Sequence, residues 1–313
     1  MSDSMIPQIP KTAAEGIVKY LGNETAAFLQ KAEVRLEKYT KLWQLSRLNF
    51  MQTDTVNILF ECESANHGPC VLKLCIPGPE VATEINCIRA YSGNGYVKLW
   101  EYSLEDDILL LERITPGLQM WEVTDHKQRA RLMAQRINDL RFIHCEQSEY
   151  PSYRTWLMGI HEDFANKSGV DGVKFYLNEA IRIYNELRQT YQRNCLLHGD
   201  MHQENMLLNS QGGYTIIDPK GVVDDPVMET ARFLMNENEA PYNANKILEI
   251  VSILSPVIGI PKADILKSMY IDAAMGQCWT LDEHFPSQEA FKIAKTGALE
   301  TCAFVYGILE VNK

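Results

Sequence analysis

Residues 195–221, CLLHGDMHQENMLLNSQGGYTIIDPKG, constrain this chain more than any other stretch. The short apolar run CLL has the character of a buried strand end, and it leads directly into His198, Gly199 and Asp200. Asn205 follows. The runs MLLN and YTII then flank a Gly-containing tetrapeptide, residues 210–213, with the lengths and spacing of a β-hairpin on a four-residue loop. In that register Met206 faces Ile217, so Asn205 and Asp218 sit side by side at the open end. The loop carrying Asp200 is short enough to return to the same place. Two carboxylates and a carboxamide are therefore expected to converge, with Lys220 nearby. Such oxygen donors suit Mg²⁺, which takes few protein ligands and shares its remaining coordination with water and phosphates.

The rest of the 313-residue chain can be read around this site. Its length predicts two domains or lobes, each large enough for its own core. A hydrophobic content of 46% with 23% charged residues is that of a globular protein. The net charge of −11 argues against a nucleic-acid or anionic-membrane surface and favours cationic ligands. Eight cysteines without a CxxC pair, several inside apolar runs such as VLKLCI, read as buried thiols of a reducing compartment. The N-terminus lacks the basic and apolar regions of a signal peptide, and residues 247–260, broken by Glu249 and Pro256, are too short to span a bilayer. A cytoplasmic location and no membrane partner are expected; oligomeric state is silent.

Toward the N-terminus, Thr12 and Glu15 form a capping-box pattern ahead of Ile17, Val18 and Leu21, Gly22 stops that helix, and Asn23 caps a second. This helical extension, residues 12–38, precedes strands expected at 42–48, 56–62 and 70–76. Lys73 lies inside the third strand, where an unpaired ammonium is costly. Its expected partner is Glu84 on the following helix, with Glu80 one turn earlier in reserve. Between the first two strands NFMQTDT has no glycine, so a phosphate-covering role would fall to backbone N–H groups and the hydroxyls of Thr53 and Thr55. The run ILLLER, followed by Pro116 and Gly117, reads as the last strand leaving an N-terminal lobe at residues 1–113. Helical patterns dominate 114–313, with stripes over 125–144 and 175–191; residues 153–165 are ambiguous.

The spacing HxDxxxxN, then an apolar strand ending in Asp, resembles the aminoglycoside phosphotransferase branch of the kinase-like fold. The glycine turn, LLLER and following PG resemble its streptomycin and hydroxyurea kinase group most closely. The resemblance implies an α+β protein-kinase-like fold, with an antiparallel N-terminal sheet lobe, flanking helices and a mostly helical C-terminal lobe. It implies ATP and Mg²⁺, with a small hydroxyl-bearing acceptor. By matching positions Asp200 accepts the acceptor's proton, Asn205 and Asp218 hold metal, and Lys73 with Glu84 holds nucleotide phosphates. The strand exit at Glu112 and Ile114 offers backbone groups to adenine. Asp218-Pro219-Lys220 in place of Asp-Phe-Gly favours a small-molecule kinase over a protein kinase. Asp224 and Asp225 occupy the family's Gly-Asp-Pro region, with Glu229 beyond. Asp224, together with Asp282 and Glu283 beside Trp279, supplies weaker candidates for binding a cationic acceptor. Other acceptors, such as choline or homoserine, remain open, as does a silent nucleotide-binding protein. A metal hydrolase built on His198, Asp200 and His202 is a further reading.

Overall fold

In the computed structural model, residues 7–10, 13–53, 56–146, 149–238, 240–282 and 285–312 are described. The chain divides into two compact units, Met1–Gly117 and Leu118–Lys313.

The first unit opens with α1 (Ala13–Leu21) and α2 (Thr25–Leu42), joined by a tight turn at Gly22–Glu24. Thr12 and the side chain of Glu15 lie outside the described residues. Asn23 sits within the connecting turn and Glu24 takes the cap position of α2 without a side-chain bond, so the expected Asn23 cap is not formed. Next come β1 (Leu45–Phe50), β2 (Ile58–Ser64), β3 (Gly68–Leu74), α3 (Pro79–Ala90), β4 (Leu99–Ser103) and β5 (Ile108–Glu112). The strands form an antiparallel sheet ordered β1-β2-β3-β5-β4. The first strand starts later than residue 42 because α2 continues to that point and Gln44 turns the chain with φ of 51°. Strand β2 shows the alternation of a half-buried strand, with Ile58, Phe60 and Cys62 inward. Phe28, Ala32, Leu36 and Tyr39, spaced along one face of α2, pack with these and with Leu72 and Leu110 into one core. Lys73 lies between Leu59 and Leu109 in register, on the opposite face from that core.

The boundary falls within β6 (Pro116–Gln119), and the second unit continues through α4 (His126–Asp139), α5 (Tyr153–Ala165), α6 (Asp171–Thr190), β7 (Cys195–Leu197), β8 (Met206–Asn209), β9 (Tyr214–Ile216), β10 (Val222–Asp224), α7 (Ala231–Glu237), α8 (Ala244–Ile258), α9 (Lys262–Thr280) and α10 (Gln288–Val311). The helical stripe expected over 125–144 ends at Asp139. Beyond it Ile143 and Cys145 run extended beside β7, where Leu196 N–H donates to Ile143 O and Cys145 N–H to Asn194 O. Pairing with a strand distant in sequence overrides helical periodicity there. The ambiguous residues 153–165 are helical, capped by Ser152, whose hydroxyl accepts the Thr155 N–H.

The hairpin forms one residue out of the expected register: Met206 faces Ile216, not Ile217. The turn gains a residue because Asn209 closes it, its Oδ1 accepting the N–H groups of Gln211 and Gly213. Strands β7 and β10 pair antiparallel, so the chain enters and leaves the catalytic segment at one place. Every cysteine is buried and unbridged. Among the described residues no single helix is long and apolar enough to cross a membrane.

Candidate active site

The loop between β7 and β8 is shaped by contacts that admit few alternatives. Gly199 has φ of +79°, and a Cβ there would come within 2.6 Å of Val222 Cγ1 and 3.1 Å of Trp156 Cη2. Only glycine fits the position. His198 is fully buried, and burial lowers its pKa to about 4. Its Nε2 donates to Ile217 O at 2.8 Å and its Nδ1 accepts the Asp200 N–H at 3.1 Å, which assigns the neutral tautomer. The His198 carbonyl accepts the Lys220 N–H at 2.8 Å. One residue thus joins the loop carrying Asp200 to both flanks of Asp218. With both ring nitrogens committed to backbone, His198 cannot ligate metal, which removes the hydrolase reading.

Asn205 pairs with the residue before Asp218: Ile217 N–H donates to Asn205 O at 3.0 Å. Asp218 has φ of 57°, a left-handed conformation that costs about 1–2 kcal/mol for most residues and is tolerated by Asp. The Asn205 Nδ2 donates to Asp200 O at 2.9 Å, and because a carbonyl only accepts, the amide orientation is settled. Among the described residues no donor pairs with its Oδ1. The Asn205 Oδ1 is a carboxamide oxygen, and with the nearby Asp218 carboxylate it is of the donor type that suits a hard divalent cation.

Asp200 is half-buried. Burial alone would raise its pKa, yet His202, Arg232 and Lys220 outweigh burial and hold it well below the usual carboxylate range. Arg232 Nε lies 3.2 Å from Asp200 Oδ1 and its Nη2 3.3 Å from Asp272 Oδ1. Beneath the loop, Gln203 donates to Glu237 at 2.8 Å, and Glu237 also receives Arg129 Nε and Nη2, each at 2.6 Å, and Lys246 at 2.9 Å.

In the first unit, Lys73 Nζ donates to both oxygens of Glu84 at 2.7 and 2.8 Å, with the residues 4% and 6% exposed. Two hydrogen bonds to a full opposite charge offset the desolvation that an unpaired ammonium would suffer. Glu80 lies exposed in the first turn of α3. Thr53 is exposed, and Thr55 lies outside the described residues. Glu112 ends β5, its N–H donating to Lys98 O at 2.9 Å, and half-buried Ile114 follows.

The acidic residues weighed as acceptor contacts have other commitments. Asp224, 2% exposed, receives Tyr184 Oη at 2.6 Å and Arg188 Nη1 at 3.0 Å, so it braces α6 against β10. Asp282 pairs with Lys167 at 2.8 Å on the surface, and Glu283 lies outside the described residues. Trp279 lies in the last turn of α9, and the cation it meets is Arg232, 5.9 Å from its ring centre. Asp225 caps the turn at Pro226–Thr230 and pairs with Arg193.

Glu229 accepts the His198 N–H at 3.0 Å and is hydrogen-bonded to the Gly199 N–H; burial raises its pKa to about 8. From the ordinary value of 4.5 up to about 8, the folded protein retains a proton that the unfolded chain has lost. Its contribution to stability therefore falls as pH rises through that window. Glu229→Gln, which keeps the acceptor oxygen, should melt progressively higher than the parent as pH goes from about 5 to about 8. A constant difference in melting temperature across this range would contradict the assignment.

Arg129, Arg232, Glu237 and Asp272 carried no signal in the sequence, since each matters only through partners that are distant along the chain.

The family model described as aminoglycoside/hydroxyurea antibiotic resistance kinase matches residues 43–283. Hydroxyurea phosphotransferase of Kitasatospora aureofaciens is 23% identical over 281 residues, covering 88% of this chain and 78% of that protein. Streptomycin 6-kinase of Streptomyces griseus is 22% identical over 239 residues, covering 72% and 74%. Among solved structures, choline kinase LicA from Streptococcus pneumoniae superposes with a TM-score of 0.60 at 16% identity, covering 88% of this chain and 99% of that one. LicA in complex with AMP gives 0.62 at 15% identity, covering 87% and 98%. These likenesses show the protein-kinase-like fold.

Proposed function

The chain belongs to the aminoglycoside/hydroxyurea antibiotic resistance kinase family and is a small-molecule phosphotransferase; on that premise we propose that it transfers the γ-phosphate of ATP to a hydroxyl of an aminoglycoside-type or hydroxyurea-like acceptor. The observation that carries this reading is the stapling of the Asp200 loop to Asp218 through His198, with Asn205 Oδ1 left for a cation. Asn205 and Asp218 would hold Mg²⁺, which when bound offsets the charge of the phosphates.

The remaining work falls to the chain's own side chains. Asp200, kept ionised by Arg232 and His202, orients the acceptor hydroxyl and accepts its proton as the new O–P bond forms and the bond from the γ-phosphorus to the bridging oxygen breaks, releasing ADP. Lys73, fixed by Glu84, holds the nucleotide phosphates. That LicA has been captured with AMP supports an adenine nucleotide. The glycine-free segment containing Thr53 leaves phosphate covering to backbone groups.

The test is ATP consumption with Mg²⁺ over a panel of streptomycin, other aminoglycosides, hydroxyurea, choline and homoserine. Acceptor-dependent turnover that disappears in Asp218→Asn is expected. Tight Mg-ATP binding without turnover on any acceptor would instead mean a silent nucleotide-binding protein.

A further inference from the structure

One cation beside the proposed base has, in the mechanism above, no part beyond keeping that base ionised. Arg232 leaves α7 one turn after Glu229, and its guanidinium is gripped by one face of α9, where residues 272, 276 and 279 recur at helical spacing. Asp272, 1% exposed, lies with Oδ1 3.3 Å from Nη2, while among the described residues nothing hydrogen-bonds its buried Oδ2. Gly276 makes room: a Cβ there would lie 3.4 Å from Nη1. Trp279 lies under the guanidinium and meets Trp156 edge-on, ring centres 5.9 Å apart at 80°. Trp156 in turn lies against Gly199, beside Asp200. Arg232 keeps 22% of its side chain exposed, and among the described residues none pairs with Nη1.

We propose that Arg232 selects the acceptor: its guanidinium hydrogen-bonds an oxygen adjacent to the hydroxyl facing Asp200, and so favours neutral acceptors with a flanking carbonyl over acceptors carrying a cation there. This rests on the kinase reading and names the substrate class within it. Three features agree. A guanidinium is a planar donor suited to a carbonyl oxygen. The cation–π position on Trp279, which would otherwise welcome a cationic alcohol, is occupied by the chain's own cation. A cationic acceptor reaching Asp200 Oδ1 must approach a guanidinium already 3.2 Å from that oxygen. On this reading the acceptor is neutral where the net charge alone would favour a cationic one.

The test uses the full chain with Mg-ATP and four acceptors: hydroxyurea and glycolamide, each with a carbonyl next to the hydroxyl-bearing atom, against choline and streptomycin. Arg232→Gln should raise KM for the first two about 10- to 100-fold, leave KM for Mg-ATP near the parent, and improve choline relative to hydroxyurea. Arg232→Lys, retaining charge without the planar fork, should rescue in part. Should Arg232→Gln strand the buried Asp272 and fail to fold, Arg232→Gln with Asp272→Asn removes that charge and gives the same readout. A parent that prefers choline or streptomycin, or a uniform fall in kcat with unchanged KM ratios, overturns the inference. If the parent consumes ATP with none of the four, the kinase reading fails for them. Tryptophan fluorescence titration with hydroxyurea then decides: quenching lost in Arg232→Gln supports the inference, and no quenching in the parent overturns it.

Discussion

Asp200→Asn is expected to lower acceptor-dependent turnover by about 10²- to 10⁴-fold, equivalent to roughly 3–5 kcal/mol of barrier, with Mg-ATP affinity close to that of the parent. The amide is isosteric, so the loop geometry set by Gly199 and His198 should persist, and only proton acceptance is lost. The carboxylate's surroundings make this a demanding prediction. Arg232 and His202 hold Asp200 well below the usual carboxylate range, so in the proposed role it would accept a proton only as the acceptor's oxygen commits to phosphorus. Single-turnover measurement of ADP formation in parent and variant, beside equilibrium nucleotide binding, separates the chemical step from affinity. Equal turnover would remove Asp200 from its assigned role, and a parallel loss of nucleotide binding would point to a collapsed loop.

Glu237→Ala should be the most destabilising single change in the second unit, by about 3–5 kcal/mol. The Glu237 side chain is fully buried and receives Arg129, Lys246 and Gln203, which draw together α4, α7, α8 and the turn that carries Asn205. Burial would raise its pKa, but these partners outweigh burial and lower it. The stability it contributes is thus present above the ordinary carboxylate pKa and lost as pH falls below it. Removing the carboxylate leaves Arg129, 6% exposed, with an uncompensated charge. Against a typical total of about 5–15 kcal/mol, that loss is large. Urea unfolding of the second unit, followed by near-ultraviolet circular dichroism, reads it directly. Because the chain has two compact units, the transition need not be two-state, and the midpoint of this unit is the quantity to compare. A midpoint matching the parent would show that the buried network contributes little. Glu237→Gln, which keeps the hydrogen-bond acceptor, should fall between.

What was legible in the sequence is what local chemistry dictates. Alternation placed Ile58, Phe60 and Cys62 inward, and the isolated lysine in VLKLC required the partner it has in Glu84. The loop and hairpin carrying His198, Asp200, Asn205 and Asp218 formed, with His198 tying the Asp200 N–H to Ile217 O, even though the turn at Asn209 moved the register by one. That shift was missed because a side chain closing its own turn competes with the count of loop residues. Among acidic residues the sequence could not choose. Asp224, Asp225 and Glu229 lie within one short segment and look alike as candidates, yet one braces Tyr184 and Arg188, one caps a turn, and one sits buried beneath the loop.

The periodicities of strand and helix and the carboxylates at motif spacing are properties of neighbouring residues, and the sequence by itself determined them. The placing of Arg232 between Asp200 and Asp272, and of Glu237 among Arg129, Gln203 and Lys246, was decided only by tertiary structure. Charges that are not neighbours in sequence are partnered by the path of the backbone, and burial together with those partners then sets the protonation of each carboxylate.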